Sequence, residues 1–502
     1  MSLRLNVVAN YVSQIYATLI GIVIIPYYLR TMGAEAYGLV AFFAMLHSWF
    51  ILLDLGLTLT ISRESSRYFS GVLSPLEYRR LYRMLSLIFV VVALTGGGML
   101  VLLAPIIAER WLHLQELPVN DIILALQIMG LSVALRWMGG LYRGILTGAE
   151  RLVWLSGFNV LISTLRFAAV FVSMALWGYT PEVFFLHQMA VAALELGVLY
   201  LICRQLVPRS AVGDPQTGWS FKPVALLMRF SLTIAFTSAI WILLTQIDKL
   251  ILSGILPLAE YGFFMLAVQV ASGITVITSP ISTALLPRLA RLHAEENHAE
   301  IIRLYHRCAQ LVAVVAVSMM VSIACSAELL LFSWTGNREL TQVAAPILRL
   351  YAVGNGLLAM SAFPFYLQYA RGNLRYHLIG NIGLIVLLIP VTIFAALRAG
   401  GVGVGWVWVG INVMTLFFWV AFVHGRLEPG LHAEWIRRNI LIIIIPTSLV
   451  GFAITLLYHM EFTNRLSALM DVILISVACF STACLASPDI RRHLLGGRMR
   501  SA

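Results

Sequence analysis

The chain has 502 residues, of which 60% are hydrophobic and only 11% charged, with a mean hydropathy of +0.89 and a formal net charge of +11. So few charges cannot cover so much apolar surface in water, which excludes a soluble globular or disordered chain and leaves an all-α polytopic membrane protein. The basic residues fall in short loops between apolar runs, so the positive charge reads as membrane topology and not as a nucleic-acid footprint.

Hydropathy predicts fourteen transmembrane helices, each near the roughly 20 residues needed to cross a bilayer. They run approximately 7–29, 38–61, 84–108, 121–141, 152–176, 182–203, 226–250, 261–285, 308–333, 343–366, 377–397, 402–423, 439–459 and 467–487. The first follows Arg4, is too long for a signal-peptide core and lacks a small-residue cleavage site. It carries Asn10, Ser13, Gln14 and Thr18 but no acid.

Ionisable groups inside spans are costly in lipid and mark candidate sites. In the second span His47, Asp54, Thr58 and Ser62 are spaced by seven, four and four and share one face of a continuous helix. Asp54 could bind a proton, a cation or a substrate hydroxyl, or hydrogen-bond a neighbouring helix. The fifth span aligns Asn159, Ser163, Arg166 and Ser173. Arg166 offers a permanent charge and a planar fork suited to phosphate oxygens. Glu195 in the sixth span, on the same face as Gln188, is its expected partner, and a substrate contact and a structural pair both remain open.

A connector at 204–223 contains Pro208, Gly213, Pro215 and Gly218 and reads as a flexible hinge between halves. The expected division is therefore 1–205 (spans one to six), 206–224 (a cytoplasmic loop), 225–425 (spans seven to twelve) and 426–502 (spans thirteen and fourteen with a basic tail). The seventh span carries Thr237, Trp241, Thr245 and Asp248, then Lys249. Adjacent residues point apart on a helix, so Asp248 and Lys249 are not expected to neutralise each other; Lys249 is expected to snorkel to the interface and Asp248 is the better site candidate. Arg349, two turns into the tenth span with Asn355 nearby, could meet an anionic substrate or snorkel outward.

The glycines at 400, 401, 403 and 405, ahead of Trp406 and Trp408, allow close helix packing or a bend. Trp111, Trp177, Trp334 and Trp435 sit near predicted interfaces, as belt residues do. The five cysteines lie in or beside apolar runs without metal spacing. Neither a nucleotide fingerprint nor a nucleophile–base pair is visible, so no cofactor, no metal site and no catalytic residue is expected.

The chain also repeats itself at an offset of 224 residues: Tyr37-Gly38 as Tyr261-Gly262, Arg79 and Arg83 as Arg303 and Arg307, Gly148 and Arg151 as Gly372 and Arg375. Six spans per copy give both copies the same orientation, a parallel repeat of the kind alternating-access transporters use. Loops on one side together with both termini carry 26 of the 34 Lys and Arg, which by the positive-inside rule places the termini in the cytoplasm.

Asn10, Pro26-Tyr27-Tyr28-Leu29, Gly33-Ala34-Glu35-Ala36-Tyr37-Gly38, Asp54-Leu55-Gly56-Leu57 and Arg63 resemble the opening of the polysaccharide-export flippases, the Wzx-type O-antigen transporters of the multidrug/oligosaccharidyl-lipid/polysaccharide exporter superfamily. Gln246-Ile247-Asp248-Lys249 and Glu260-Tyr261-Gly262 resemble the start of that family's second lobe. The resemblance implies two six-helix lobes in a V plus two C-terminal helices, and a central cavity lined by spans one, two, seven and eight. By that layout Asp54 and Asp248 are the best-placed ionisable groups, with Arg166 and Glu195 second. It implies a flippase in the bacterial inner membrane that moves an undecaprenyl-pyrophosphate-linked oligosaccharide between leaflets, coupled to an H+ or Na+ gradient. The implied partners are the lipid-linked substrate, membrane lipids, a polysaccharide polymerase and a chain-length regulator, with no nucleic acid.

Drug/cation antiporters of the same superfamily resemble twelve-span chains with an acid in the first span, which is absent here. An O-antigen polymerase or ligase would carry a large outer loop, whereas the longest here, Glu109–Asn120, is a dozen residues.

Overall fold

The computed structural model describes residues 3–54, 56–208, 222–457 and 464–496. Its helices, in chain order, are α1 (Leu3–Val23), α2 (Ile25–Met32), α3 (Ala34–Phe50), α4 (Leu57–Phe69), α5 (Pro75–Ile106), α6 (Val119–Gly148), α7 (Leu152–Phe167), α8 (Val170–Trp177), α9 (Pro181–Leu206) and α10 (Lys222–Ser253). They continue as α11 (Leu258–Ala294), α12 (His298–Thr335), α13 (Arg338–Ser361), α14 (Phe363–Ala370), α15 (Arg375–Met414), α16 (Val420–Leu427), α17 (Leu431–Trp435), α18 (Ile442–Leu457), α19 (Arg465–Ala486) and α20 (Pro488–Gly496). Among the described residues the only β pairing is an isolated bridge, His113 to Pro257. Most of the hinge expected at 204–223 lies outside the described residues, as does the side chain of Thr237.

Twelve described segments are long and apolar enough to cross a membrane. One of them, Arg375–Leu427, has 53 residues, about 80 Å of helix at 1.5 Å per residue and far more than one crossing needs. It does not run straight. Ala399 and Gly400 leave helical geometry, Gly400 with φ +53°. A Cβ on Gly403 would lie 2.5 Å from the carbonyl oxygen of Ala395, although eight residues of continuous helix are about 12 Å long, so the chain folds back here. The glycine run thus serves both expected purposes, since Gly401 and Gly405 also lie against Ile347 and Leu350.

The second predicted span is discontinuous. α3 ends at Phe50, a 3₁₀ turn covers Ile51–Asp54, and α4 restarts after Gly56, which sits in the left-handed region at φ +71°. The continuous stripe expected from His47 to Ser62 is therefore split. α4 instead packs on a glycine ladder of α6. A Cβ at Gly144 would come within 2.4 Å of Ile61, and one at Gly148 within 2.2 Å of the Ser62 carbonyl. Small residues four apart let the two backbones approach, the usual means of helix association where water gives no hydrophobic drive.

The chain divides into two bodies, Met1–Gly262 and Phe263–Ala502. The first includes α10 and the start of α11. Tyr37 and Tyr261 are each the fourth residue of their helix, α3 and α11, and both are buried, so this repeat pair is structurally equivalent. Gly148 and Gly372 are not: Gly148 ends α6, whereas Gly372 takes the left-handed position of its turn at φ +66°, as Glu150 does at +57°. Buried Glu35 accepts three backbone N–H groups, from Gln115 (2.6 Å), Glu116 (2.8 Å) and Leu117 (2.9 Å), which fixes the loop after α5. That loop is tied to the α10–α11 corner by Trp111 Nε1 donating to Ser253 (3.0 Å) and by the Leu258 N–H donating to the His113 carbonyl (3.1 Å).

In the second body α12 packs on α13, α18 and α19. Its polar face pairs with neighbours: Tyr305 with His424 (2.7 Å), His306 Nδ1 with Asn439 (3.1 Å) and Gln310 with Ser487 (3.1 Å), while His306 Nε2 is buried without a partner. Trp435, expected in an interfacial belt, is instead 1% exposed and packs edge-on against His424.

Candidate functional site

Three helices of the first body each place two polar residues seven apart on one face: Arg136 and Arg143 on α6, Asn159 and Arg166 on α7, Gln188 and Glu195 on α9. The three pairs meet. Glu195 accepts from Arg143 through one oxygen and from Arg166 through the other. Arg143 also donates to Asn159 Oδ1. One level away, Arg136 donates to Gln188 Oε1 at 2.7 Å, and Gln188 Nε2 donates to the Arg166 carbonyl at 2.8 Å. α3 closes the group: the Arg136 guanidinium stands 4.8 Å over the Phe43 ring, and His47, one turn on, lies within electrostatic reach of Arg136, Arg166, Glu195 and Arg143.

Arg166 is fourteen residues, about 21 Å of helix, from the start of α7, so the cluster sits deep within the spans. Three guanidiniums face one carboxylate, which leaves a charge of +2 with His47 neutral. Such a charge is expensive among spans unless an anion or water shares it. The side chains of Arg143 and Arg166 keep 29% and 19% of their surface accessible, while Glu195 keeps 6%. These two cations are reachable and their counter-ion is not. Arg136 Nε, Arg166 Nε and His47 Nδ1 are buried without a hydrogen-bond partner. Guanidiniums in excess of carboxylate have the chemistry to bind an anion.

The remaining candidates lie elsewhere. Asp54 is half-buried and its Oδ1 accepts from Thr58 N–H (3.2 Å) and Thr58 Oγ1 (2.6 Å), so it caps the first turn of α4. An amide oxygen can do the same. Asp54→Asn is expected to keep wild-type thermal stability, while Asp54→Ala loses about 1 kcal/mol, measurable as a lower unfolding midpoint in detergent.

Asp248 and Lys249 correct the sequence reading twice. Lys249 is 9% exposed and does not snorkel to the interface, and its ammonium donates to both oxygens of Asp248 (3.0 and 3.2 Å) and to the Thr245 carbonyl. Helical spacing separates the two Cβ atoms, but a four-carbon arm folds back far enough to neutralise a buried carboxylate. Arg349 pairs with Glu328 at 2.8 Å, both half-exposed, and Asn355 accepts from Trp408 Nε1 at 3.0 Å. Asn10 and Gln14 have exposed side chains on α1 and lie outside the cluster. Among the described residues no group of His, Cys, Asp or Glu could hold a metal ion.

Sequence reasoning missed Arg136 and Arg143. The signal was present, because their spacing of seven matches that of the polar pairs on the two following spans.

A protein-family model described as "Polysaccharide biosynthesis protein" matches residues 3–293. No curated protein matches the sequence. Among solved structures, lipid II flippase MurJ in an inward closed conformation aligns with a TM-score of 0.73 and 13% identity over 98% of this chain and 99% of that one. An inward-facing multidrug resistance MATE family transporter of the MOP superfamily aligns at 0.63 and 14%, over 82% and 96%. A MOP superfamily transporter from Pyrococcus furiosus aligns at 0.57 and 13%, over 84% and 95%. At such identities the likeness is one of fold.

Proposed function

The chain belongs to the polysaccharide biosynthesis protein family, and from that premise we propose that it is a flippase for a lipid-linked oligosaccharide, an undecaprenyl-pyrophosphate-linked repeat unit of O-antigen or exopolysaccharide type. It moves the unit from the cytoplasmic to the periplasmic leaflet of a bacterial inner membrane, with both termini cytoplasmic. Two lobes, 1–205 and 225–425, expose the headgroup path to each side in turn, driven by an H+ or Na+ gradient, and no covalent bond is made or broken. A polymerase and a chain-length regulator then take the delivered unit.

The observation that carries this reading is the +2 cluster of Arg136, Arg143, Arg166 and Glu195. A pyrophosphate diester bears two negative charges, and arginine forks match its oxygens. The sugar needs hydrogen bonds, while the polyprenyl tail can stay in lipid. A cation antiporter would need a site that attracts cations, and this one repels them.

The test is deletion of the gene. Lipid-linked repeat units should accumulate on the cytoplasmic leaflet and surface polysaccharide should disappear while synthesis of the unit continues. Normal surface polysaccharide with raised drug sensitivity would instead make the protein an antiporter.

A further inference from the structure

The fifth predicted span is broken between Phe167 and Val170, immediately after Arg166, yet Leu165-Arg166-Phe167-Ala168-Ala169-Val170 contains no Pro, Gly or Ser to break it. Kinks without such residues arise at π-type bulges or where side chains enter the backbone ladder. Here the Ala169 N–H bonds back to the Thr164 carbonyl (3.1 Å) and the Phe171 N–H to that of Ala168 (3.2 Å), so the normal helical register is lost. The carbonyls at the break are those of Leu165, Arg166 and Phe167, and each is captured by a side chain: His187 Nε2 (2.9 Å), Gln188 Nε2 (2.8 Å) and Tyr28 OH (3.1 Å). Carbonyls left without donors are costly in hydrocarbon, so these three donors hold the break open.

Each donor is itself fixed. A carbonyl only accepts, so His187 carries its proton on Nε2 and its Nδ1 accepts from Ser173 Oγ at 2.8 Å. Tyr28 is 2% exposed and stacks on Phe171 at 5.2 Å. Gln188, 3% exposed, has one orientation that serves both neighbours: its oxygen faces Arg136, which only donates, and its nitrogen faces the Arg166 carbonyl.

We propose that Tyr28, His187 and Gln188 are positioning residues, and that Gln188 holds Arg136 and Arg166 in register so that both guanidiniums address one diphosphate group. This rests on the reading of the cluster as the headgroup site. An unbroken helix would satisfy its own carbonyls and would not need three side-chain donors from α2 and α9. The break sets the height and direction of Arg166, while Gln188 transmits that setting to Arg136 on another helix.

The test is titration of the purified full-length protein with inorganic pyrophosphate, followed by calorimetry, with the unfolding midpoint measured alongside. Gln188→Met, which keeps the volume and removes both hydrogen bonds, should raise the apparent Kd about tenfold. Tyr28→Phe removes one hydroxyl remote from the anion and should raise Kd by about threefold, so the idea remains testable if Gln188→Met folds poorly. After Arg136→Gln, adding Gln188→Met should weaken binding by less than it does in the wild type, because the two residues act through one contact. A purely structural role would lower the midpoint and leave Kd unchanged in both single variants, which would overturn the proposal while leaving the site intact. Absence of saturable pyrophosphate binding by the wild-type protein would remove the headgroup site, and this inference with it.

Discussion

Replacing Glu195 with glutamine is expected to destabilise the protein by about 3 kcal/mol, read as a lower unfolding midpoint and a smaller folded yield in detergent. Glu195 is the carboxylate shared by Arg143 and Arg166, with 6% of its side chain accessible. Its loss raises the cluster from +2 to +3 and leaves two guanidiniums facing each other. Breaking a buried pair from one side costs about 3–5 kcal/mol, and the lower end applies because both arginines retain some access to water. Adding Arg143→Gln to Glu195→Gln restores +2 and should recover much of the midpoint. If Glu195→Gln alone left the midpoint unchanged, the carboxylate would not be the counter-charge of this cluster.

What the sequence made legible was whatever depended on local period. Asn159 with Arg166 and Gln188 with Glu195 are visible because a spacing of seven keeps residues on one helical face. The membrane class and the pairing of Tyr37-Gly38 with Tyr261-Gly262 follow from composition and direct repetition. Arg143 was hidden by a boundary. Hydropathy ends the fourth span at 141, but α6 continues to Gly148, so Arg143 reads as a loop cation. The Asp248–Lys249 pair was misread because spacing describes where side chains leave a helix and not where a long one ends. The break after Phe167 is invisible in its own sequence, since its cause lies in Tyr28, His187 and Gln188, 20 to 139 residues away. Asp54 drew attention as an intramembrane acid, and the helix break that turns it into a cap depends on Gly56 adopting a left-handed backbone.

Arg166→Gln is expected to reduce export of the lipid-linked unit about 100-fold while the protein still folds and inserts. Losing a bidentate, charge-assisted contact to phosphate amounts to about 3 kcal/mol, which is roughly two powers of ten in rate or affinity. Folding should survive because Arg143 still pairs with Glu195, Gln188 still reaches the residue-166 carbonyl, and the cluster falls only from +2 to +1. Arg166→Lys keeps the charge but loses the planar fork, so a deficit nearer tenfold is expected. Transport of a fluorescent lipid-linked oligosaccharide into the inner leaflet of proteoliposomes, together with the unfolding midpoint, separates a transport defect from a folding one. The pattern of Gln far below Lys below wild type, at equal midpoints, is what a phosphate-binding guanidinium produces. Equal transport by all three would mean that the charge is held within the spans for architecture alone.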